Sequence, residues 1–150
     1  MDILDLIGNT PLVEVTGIDT GLCQLFVKLE NQNTGGSIKD RIAISMILDA
    51  EKTGKLNPGG TIVEATAGNT GLGLAIVAAR RGYPLHLVLP DKMSREKINQ
   101  LRALGAQVTL TRSDVNRGHP DYYQDKARAL AASIPGAWLV DQFSNPANPL

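Results

Sequence analysis

Two glycine-rich segments, at 31–37 and 68–73, limit most strongly how this chain can fold. Each follows a short apolar run and precedes a longer apolar-rich segment, which is typical of a strand that leads through a tight loop into a helix. The same alternation continues along the chain with short connections. We therefore predict an α/β fold in which helices flank a parallel sheet on both faces. The predicted strands cover 22–30, 61–66, 85–89, 107–111 and 137–140, and the predicted helices cover 38–52, 72–81, 95–104 and 120–133.

Composition excludes several classes of protein. Fifteen Lys and Arg residues balance fifteen Asp and Glu residues among 150, and this zero net charge argues against a nucleic-acid-binding protein. The apolar runs are far shorter than the roughly 18 residues of a membrane span, and the N-terminus lacks the pattern of a signal peptide. The single cysteine, Cys23, allows no internal disulfide, which is typical of a cytoplasmic protein, and we expect it in the core. Two histidines are too few to predict a metal site.

The second glycine-rich segment has the features of an anion site. Residues 65–73 (ATAGNTGLG) join a predicted strand to a predicted helix, so backbone N–H groups at the helix start can approach a phosphate or a carboxylate closely. Two other interpretations stay open here. The glycines could serve helix–sheet packing alone. A dinucleotide could also bind, although the order G-x-x-G-x-G reverses the usual fingerprint, and Asp91, placed where a ribose-binding acid would lie, follows Pro90 and better suits a loop or a cap.

The first glycine-rich segment places a lysine near a predicted helix start. Residues 34–41 read TGGSIKDR, and the field of a helix N-terminus disfavours the charged form of an amine. Lys39 is therefore a candidate for a nucleophilic or Schiff-base lysine. On position alone, a solvated lysine paired with Asp40 or another acid is the simpler interpretation, because motifs this short recur by chance.

Several short motifs, taken in order, resemble those of one enzyme family. They are 7–12 (IGNTPL), 28–30 (KLE), 35–41 (GGSIKDR), 64–71 (EATAGNTG), 90–94 (PDKMS), 102–106 (RALGA) and 141–146 (DQFSNP). Together they resemble the cysteine synthase and cystathionine β-synthase family of fold type II enzymes, which depend on pyridoxal 5'-phosphate (PLP). The resemblance covers nearly the whole chain, and so many motifs in one order are far more specific than any one of them.

The resemblance implies a fold like that of the tryptophan synthase β-subunit and a PLP-dependent β-replacement on serine or O-acetylserine. By that match Lys39 would bind PLP covalently and act as the catalytic base, and Asn69 would hydrogen-bond the ring hydroxyl of the cofactor. Sulfide or homocysteine would be the nucleophile, giving cysteine or cystathionine; the sequence does not distinguish between them. The carboxylate of the amino acid would be bound by Thr66, Ala67, Gly68, Asn69, Thr70 and Gln142.

The chain departs from the family pattern in two places that matter. Ala67 stands where the family usually has serine, so a hydroxyl contact to the substrate is missing and the substrate preference is open. The family's second Gly/Thr-rich loop, which holds the PLP phosphate, and the polar residue beside the pyridine nitrogen have no counterpart in these 150 residues. The chain therefore resembles the N-terminal half of such an enzyme, and we expect it to be inactive alone.

The resemblance also implies a domain organisation. Residues 1–34 would be the first segment of a larger PLP domain, 35–140 a smaller mobile α/β domain, and 141–150 a return segment into the larger one. We expect the whole enzyme to be a cytoplasmic homodimer, with serine acetyltransferase as a candidate partner and with no nucleic-acid or membrane partner. The alternatives are a nucleotide-binding, Rossmann-like oxidoreductase domain and a non-catalytic regulatory binding module.

Overall fold

The structure, a computed structural model, describes residues 1–148. Short 3₁₀ helices cover Ile3–Leu6 and Glu30–Gln32. The remaining elements alternate between strand and helix from the middle of the chain onward. In order they are β1 (Leu12–Glu14), β2 (Phe26–Lys28), α1 (Lys39–Lys52), β3 (Ile62–Ala65), α2 (Asn69–Arg81), β4 (Leu85–Pro90), α3 (Arg95–Ala103), β5 (Gln107–Thr111), α4 (Tyr123–Ser133) and β6 (Trp138–Leu139).

Four strands form a parallel sheet, which confirms the predicted fold class. The strand order is β5-β4-β3-β6. Ile62 at the start of β3 pairs with Leu85 of β4 on one side and with Trp138 of β6 on the other. The chain thus adds β4 and β5 on one side of β3 and then returns to add β6 on the opposite side. Such a reversal opens a crevice beside the carboxyl end of β3, and ligands bind at such crevices in open α/β sheets.

Helices cover both faces of the sheet because its central strands are apolar on both sides. The helices α1, α2 and α3 pack with Ile62 and Leu87 into the larger core, and α4 packs on the opposite face against Val63 and Val88. Neighbouring residues of each strand therefore belong to different cores, as a pleated strand requires. Within residues 1–148, no helix combines the length and the apolar character needed to cross a bilayer.

The N-terminal part of the chain differs most from the sequence-based expectation. The strand predicted over 22–30 shortens to β2, which pairs antiparallel with β1, a strand that the pattern did not predict. Both strands of this β1–β2 ribbon are exposed, with Leu12 at 61% and Phe26 at 48% of full exposure. Cys23 is also exposed, so its predicted place in the core is wrong. An apolar run is buried only where another element packs on it, and none of the described residues covers this ribbon.

Other element boundaries shift by a few residues. Helix α2 begins at Asn69 instead of 72, so the second half of the glycine-rich loop forms its first turn. Helix α4 begins at Tyr123 instead of 120. The position of Ser94 directly before the helix predicted over 95–104 also predicts it as the N-cap, and the structure confirms this: Ser94 Oγ accepts the N–H of Lys97 at 3.4 Å.

One glycine permits the close packing of α1 against α2. A Cβ built on Gly73 would lie 3.0 Å from the carbonyl oxygen of Lys39 and 3.1 Å from both the Cα of Asp40 and the Cβ of Ala43. These contacts are tighter than ordinary van der Waals distances, and two of them involve backbone atoms that a side-chain rotation cannot relieve. The first turn of α1 therefore rests directly on the backbone of α2.

We expect Gly73→Ala to lower the free energy of unfolding by about 1–2 kcal/mol, because overpacking outweighs the roughly 1 kcal/mol that alanine gains over glycine inside a helix. Urea unfolding of the whole protein measures this change. Gly17→Ala is the matched control, since a Cβ at Gly17 would meet nothing within 4 Å. An equal or higher stability for Gly73→Ala would contradict the packing argument.

Candidate functional site

A cleft of about 310 Å³ lies at the carboxyl end of β3, beside the starts of α1 and α2. The fold assembles this cleft from four separate stretches of the chain. It thereby brings together every residue that the sequence singled out as catalytic, cofactor-binding or substrate-binding. Its lining consists of Lys39, Ala65, Thr66, Ala67, Gly68, Asn69, Thr70, Tyr123, Gln142 and Phe143.

Lys39 supplies the amine of this cleft. It is the first residue of α1, partly buried, and its backbone N–H donates to Ser37 Oγ at 3.1 Å. Within residues 1–148, its Nζ has no ion-pair or hydrogen-bond partner. Neither Asp40 nor another acid of residues 1–148 forms an ion pair with Lys39, whose side chain lies in the lining of the cleft.

Asp40 does not pair with Lys39; its carboxylate binds the loop that precedes α1. Its Oδ2 accepts the N–H of Gly35 at 2.5 Å, and burial raises the pKa of this carboxyl group. A Cβ on Gly35 would lie 2.6 Å from Asp40 Oδ1 and 2.8 Å from Ile76 Cδ1. The first glycine-rich segment thus needs its glycine to close over the carboxylate, and this closure places Lys39 at the cleft.

A hydrogen-bonded cluster around Glu30 joins the N-terminal segment to the first turn of α1. Arg41 donates to both carboxylate oxygens of Glu30, at 2.8 and 2.9 Å, and Thr10 and Asn33 donate to the same carboxylate at 2.7 and 2.8 Å. These donors, Arg41 first, lower the pKa of Glu30 to about 2. The cluster joins the N-terminal segment to Arg41, in the first turn of α1, and so supports the start of this helix.

The start of α2 is open to an anion. Gly68 occupies the N-cap position without a side-chain cap, and the cleft is lined by Gly68, Asn69 and Thr70. Thr66 Oγ1 accepts the N–H of Gly68 at 3.2 Å, which shapes the loop. The uncapped N–H groups of a helix start attract a negative charge. This geometry favours the anion-site interpretation of the second glycine-rich segment over packing alone.

Gln142 reaches the cleft from the segment after β6. It is 7% exposed, and its side-chain amide is held at both ends. The Thr70 hydroxyl donates to Gln142 Oε1 at 2.7 Å, and Gln142 Nε2 donates to Glu64 Oε1 at 2.9 Å. The Thr70 hydroxyl proton is therefore already engaged, which leaves the backbone N–H of Thr70 as its donor toward a ligand.

Sequence reasoning missed Glu64 as part of this site. It stands on β3, is 2% exposed, and its Oε2 has no hydrogen-bond partner among the described residues. Burial raises the pKa of Glu64 to about 7, the Gln142 amide opposes this shift, and the carboxylate of Asp141 adds to it. A glutamate inside the otherwise apolar run TIVEAT was the signal, because a charge on a strand expected to be buried is costly without a role.

Other candidate features give no second site. Asp91 Oδ1 accepts the N–H of Ser113 at 3.2 Å, so it serves as a loop residue, as the sequence indicated. Within residues 1–148, no group of three or more His, Cys, Asp or Glu side chains could hold a metal ion.

Comparison with known proteins places this geometry among related enzymes. Residues 3–150 match the model of the family described as pyridoxal-phosphate dependent enzymes. The chain is 46% identical over 150 residues to cystathionine beta-synthase of Dictyostelium discoideum, covering 99% of this chain and 30% of that protein. It is 48% identical over 145 residues to cysteine synthase of a Flavobacterium species, covering 97% of this chain and 46% of that protein.

A solved structure gives the same result. The crystal structure of a hydrogen sulfide-producing enzyme from Fusobacterium nucleatum matches 98% of this chain with a TM-score of 0.88 and 44% identity, and the match covers 47% of that chain. The present chain thus spans half or less of the length of these relatives.

We expect Glu64→Gln to remove a loss of stability at high pH. A carboxyl group with a folded pKa of about 7 and an ordinary value of 4.5 stabilises the fold fully below pH 4.5 and loses that contribution as the pH rises through 7. Between pH 5 and pH 8, the free energy of unfolding of Glu64→Gln should therefore rise relative to the wild type by up to about 3 kcal/mol. Urea unfolding at both pH values measures the difference. Parallel pH profiles of the free energy of unfolding for the two proteins would refute the raised pKa of Glu64.

Proposed function

The chain belongs to the family of pyridoxal-phosphate dependent enzymes, and from that premise we propose that the whole protein catalyses β-replacement on serine or O-acetylserine by a sulfur nucleophile. The observation that carries the proposal is the shared cleft. The amine of Lys39, which has no ion-pair partner within residues 1–148, meets the uncapped start of α2 and the anchored amide of Gln142 there. An amine and an anion site facing one cavity suit an amino acid, which carries a carboxylate beside its reactive centre.

The residues present fit PLP as the cofactor. A free primary amine is what the PLP aldehyde requires, and the Lys39 amine is unpaired within the described residues. Asn69 lines the same cleft with an exposed side chain and is the proposed partner of the ring hydroxyl. When bound, PLP withdraws electrons from the Cα of an amino acid and so makes the Cα proton more acidic.

Lys39 has two roles in this proposal. It holds the cofactor covalently at the start of α1, and its Nζ acts as the general base that takes the Cα proton of the substrate and later returns it. Lys39 is suited to both because it carries the amine in the lining of the cleft. The loop closed by Asp40 and Gly35 keeps that amine in place.

The carboxylate of the substrate is bound at the start of α2. The backbone N–H groups of the loop are the donors, and Gln142 adds a side-chain donor from the opposite wall. Ala67 is exposed and offers no hydroxyl, so binding here relies on the backbone more than on side chains. The reaction class therefore needs no serine at position 67, whereas the choice of leaving group can depend on it.

The names of the relatives do not agree on one sulfur nucleophile. One is called a cystathionine beta-synthase, one a cysteine synthase, and one a hydrogen sulfide-producing enzyme. The proposal accordingly covers homocysteine and sulfide as nucleophiles, with cystathionine or cysteine as the product. The cytoplasmic location, the homodimer and the binding of serine acetyltransferase stay parts of this proposal.

The domain organisation also stays a proposal, and the β1–β2 ribbon supports it. Its apolar side chains are exposed, whereas those of β3 and β4 in the parallel sheet are buried. A further part of the whole protein packing on this ribbon would bury them, as expected if residues 1–34 belong to a larger domain. The same organisation is the reason to expect no β-replacement by the 150 residues alone.

We expect Lys39→Ala to abolish covalent binding of PLP. The whole wild-type protein should show the visible absorbance of lysine-bound PLP and, after borohydride reduction, a mass increase on the peptide that contains Lys39. Lys52→Ala, a lysine at the far end of the same helix, is the matched control and should keep both signals. If Lys39→Ala retained the reducible adduct, or if the wild type formed none with added PLP, the proposed function would be wrong.

A further inference from the structure

We propose that Glu64 is a positioning residue that selects an amino acid carboxylate by holding the side-chain amide of Gln142 in one orientation. This proposal rests on the proposed function, because Gln142 is taken there as a contact of the substrate. Glu64 is 2% exposed on the central strand, and its hydrogen bond to Gln142 joins residues 78 positions apart in the sequence.

The orientation of the Gln142 amide depends on Glu64, because the other partner of the amide, the Thr70 hydroxyl, can bind either its oxygen or its nitrogen. A threonine hydroxyl can donate or accept, so Thr70 would accommodate either the oxygen or the nitrogen of the amide. An ionised carboxylate only accepts, so it binds the NH₂ group and rejects the amide oxygen. The observed distances, 2.9 Å from Nε2 to Glu64 and 2.7 Å from the Thr70 hydroxyl to Oε1, correspond to the orientation that a carboxylate requires.

This orientation decides what Gln142 presents to the cleft. With one hydrogen of its NH₂ group bound to Glu64, the second remains for a ligand. An inverted amide would instead turn its carbonyl oxygen toward that position and repel a carboxylate. Burial of the three side chains strengthens the discrimination, because water cannot replace a mismatched partner.

The burial of Glu64 supports a role beyond fold stability. This carboxyl group is 2% exposed and has no ion-pair partner among the described residues, and such burial is costly for an acid. The charged or titratable side chains next to Glu64 are Asp141, which follows β6, and Arg128 and Tyr123 of α4. Arg128 lies 3.6 Å from Asp141 and pairs with that residue.

A double-mutant cycle on the whole PLP-loaded protein tests the proposal. The dissociation constant of serine, measured by the change in PLP absorbance at pH 8, is compared among the wild type, Glu64→Gln, Gln142→Ala and the double variant. Glu64→Gln keeps the shape of the side chain, and any direct effect of its lost charge on the substrate is present in both backgrounds and cancels. We expect Glu64→Gln to weaken binding about fivefold more when Gln142 is present than in the Gln142→Ala background. Equal effects in the two backgrounds would overturn the proposal.

A second measurement needs neither cofactor nor activity. In ¹⁵N-labelled protein without PLP, the side-chain NH₂ resonances of Gln142, assigned by their loss in Gln142→Ala, should be distinct and protected from exchange. They should shift and lose protection in Glu64→Gln. Glu96→Gln, which changes an exposed acid on α3, is the control and should leave them unchanged. If Glu64→Gln fails to fold, the wild-type resonances should still shift between pH 5 and pH 9; resonances insensitive to Glu64 or to pH would refute the proposal.

The two proposals fail in different ways. A wild-type protein that binds no PLP or gives no response to serine contradicts the proposed function, and the role of Glu64 is then judged on the amide resonances alone. A protein that binds serine but shows an additive cycle contradicts only the role of Glu64.

Discussion

The contact between the first turns of α1 and α2 is the constraint on which the site depends. Because Gly73 has no side chain, α2 packs so closely on α1 that a Cβ at this position would lie 3.0 Å from the Lys39 carbonyl oxygen. The two helix starts therefore open onto the same cleft. Lys39 begins one helix, and the second glycine-rich segment leads into the other. A larger side chain at Gly73 would separate the amine from the carboxylate site without touching either group.

Two buried acids lie near the cleft, Asp40 in the first turn of α1 and Glu64 on β3, and burial raises the pKa of each carboxyl group. Acidic groups beside an anion site would repel a ligand if both were ionised and exposed. Each is instead directed at a donor of the protein: Asp40 at the Gly35 backbone and Glu64 at Gln142. The acids thus shape the walls of the cleft, while the donors proposed to contact the ligand belong to the backbone and to an amide.

Sequence patterns predicted the part of the fold in which local and long-range preferences agree. Strands β3 and β4 lie within one residue of their predicted bounds, because apolar runs between clear turns are buried on both faces of a parallel sheet. Strand β5 also has the predicted bounds, although it is an edge strand and only partly buried. Ser94 caps α3 because its hydroxyl accepts an N–H of the first helical turn. The ribbon was predicted poorly because its strands pair with each other and are not packed in the described residues. The candidate site was predicted as far as short motifs reach, which includes Lys39 and the loop at 66–70. The partnership of Glu64 with Gln142 was not predictable, because it depends on β6 returning beside β3 after an excursion through three helices.

The strand order has a consequence for how the cleft forms in time. The sheet can grow from β3 through β4 to β5 by local crossovers, but the wall that carries Gln142 arrives only when β6 closes a loop of more than 70 residues onto β3. Contacts between residues so distant in sequence form slowly. The lysine and the glycine-rich loop should therefore meet early in folding, and the amide that completes the carboxylate site should dock among the last steps, so a partly folded chain would hold the amine before it could recognise an amino acid.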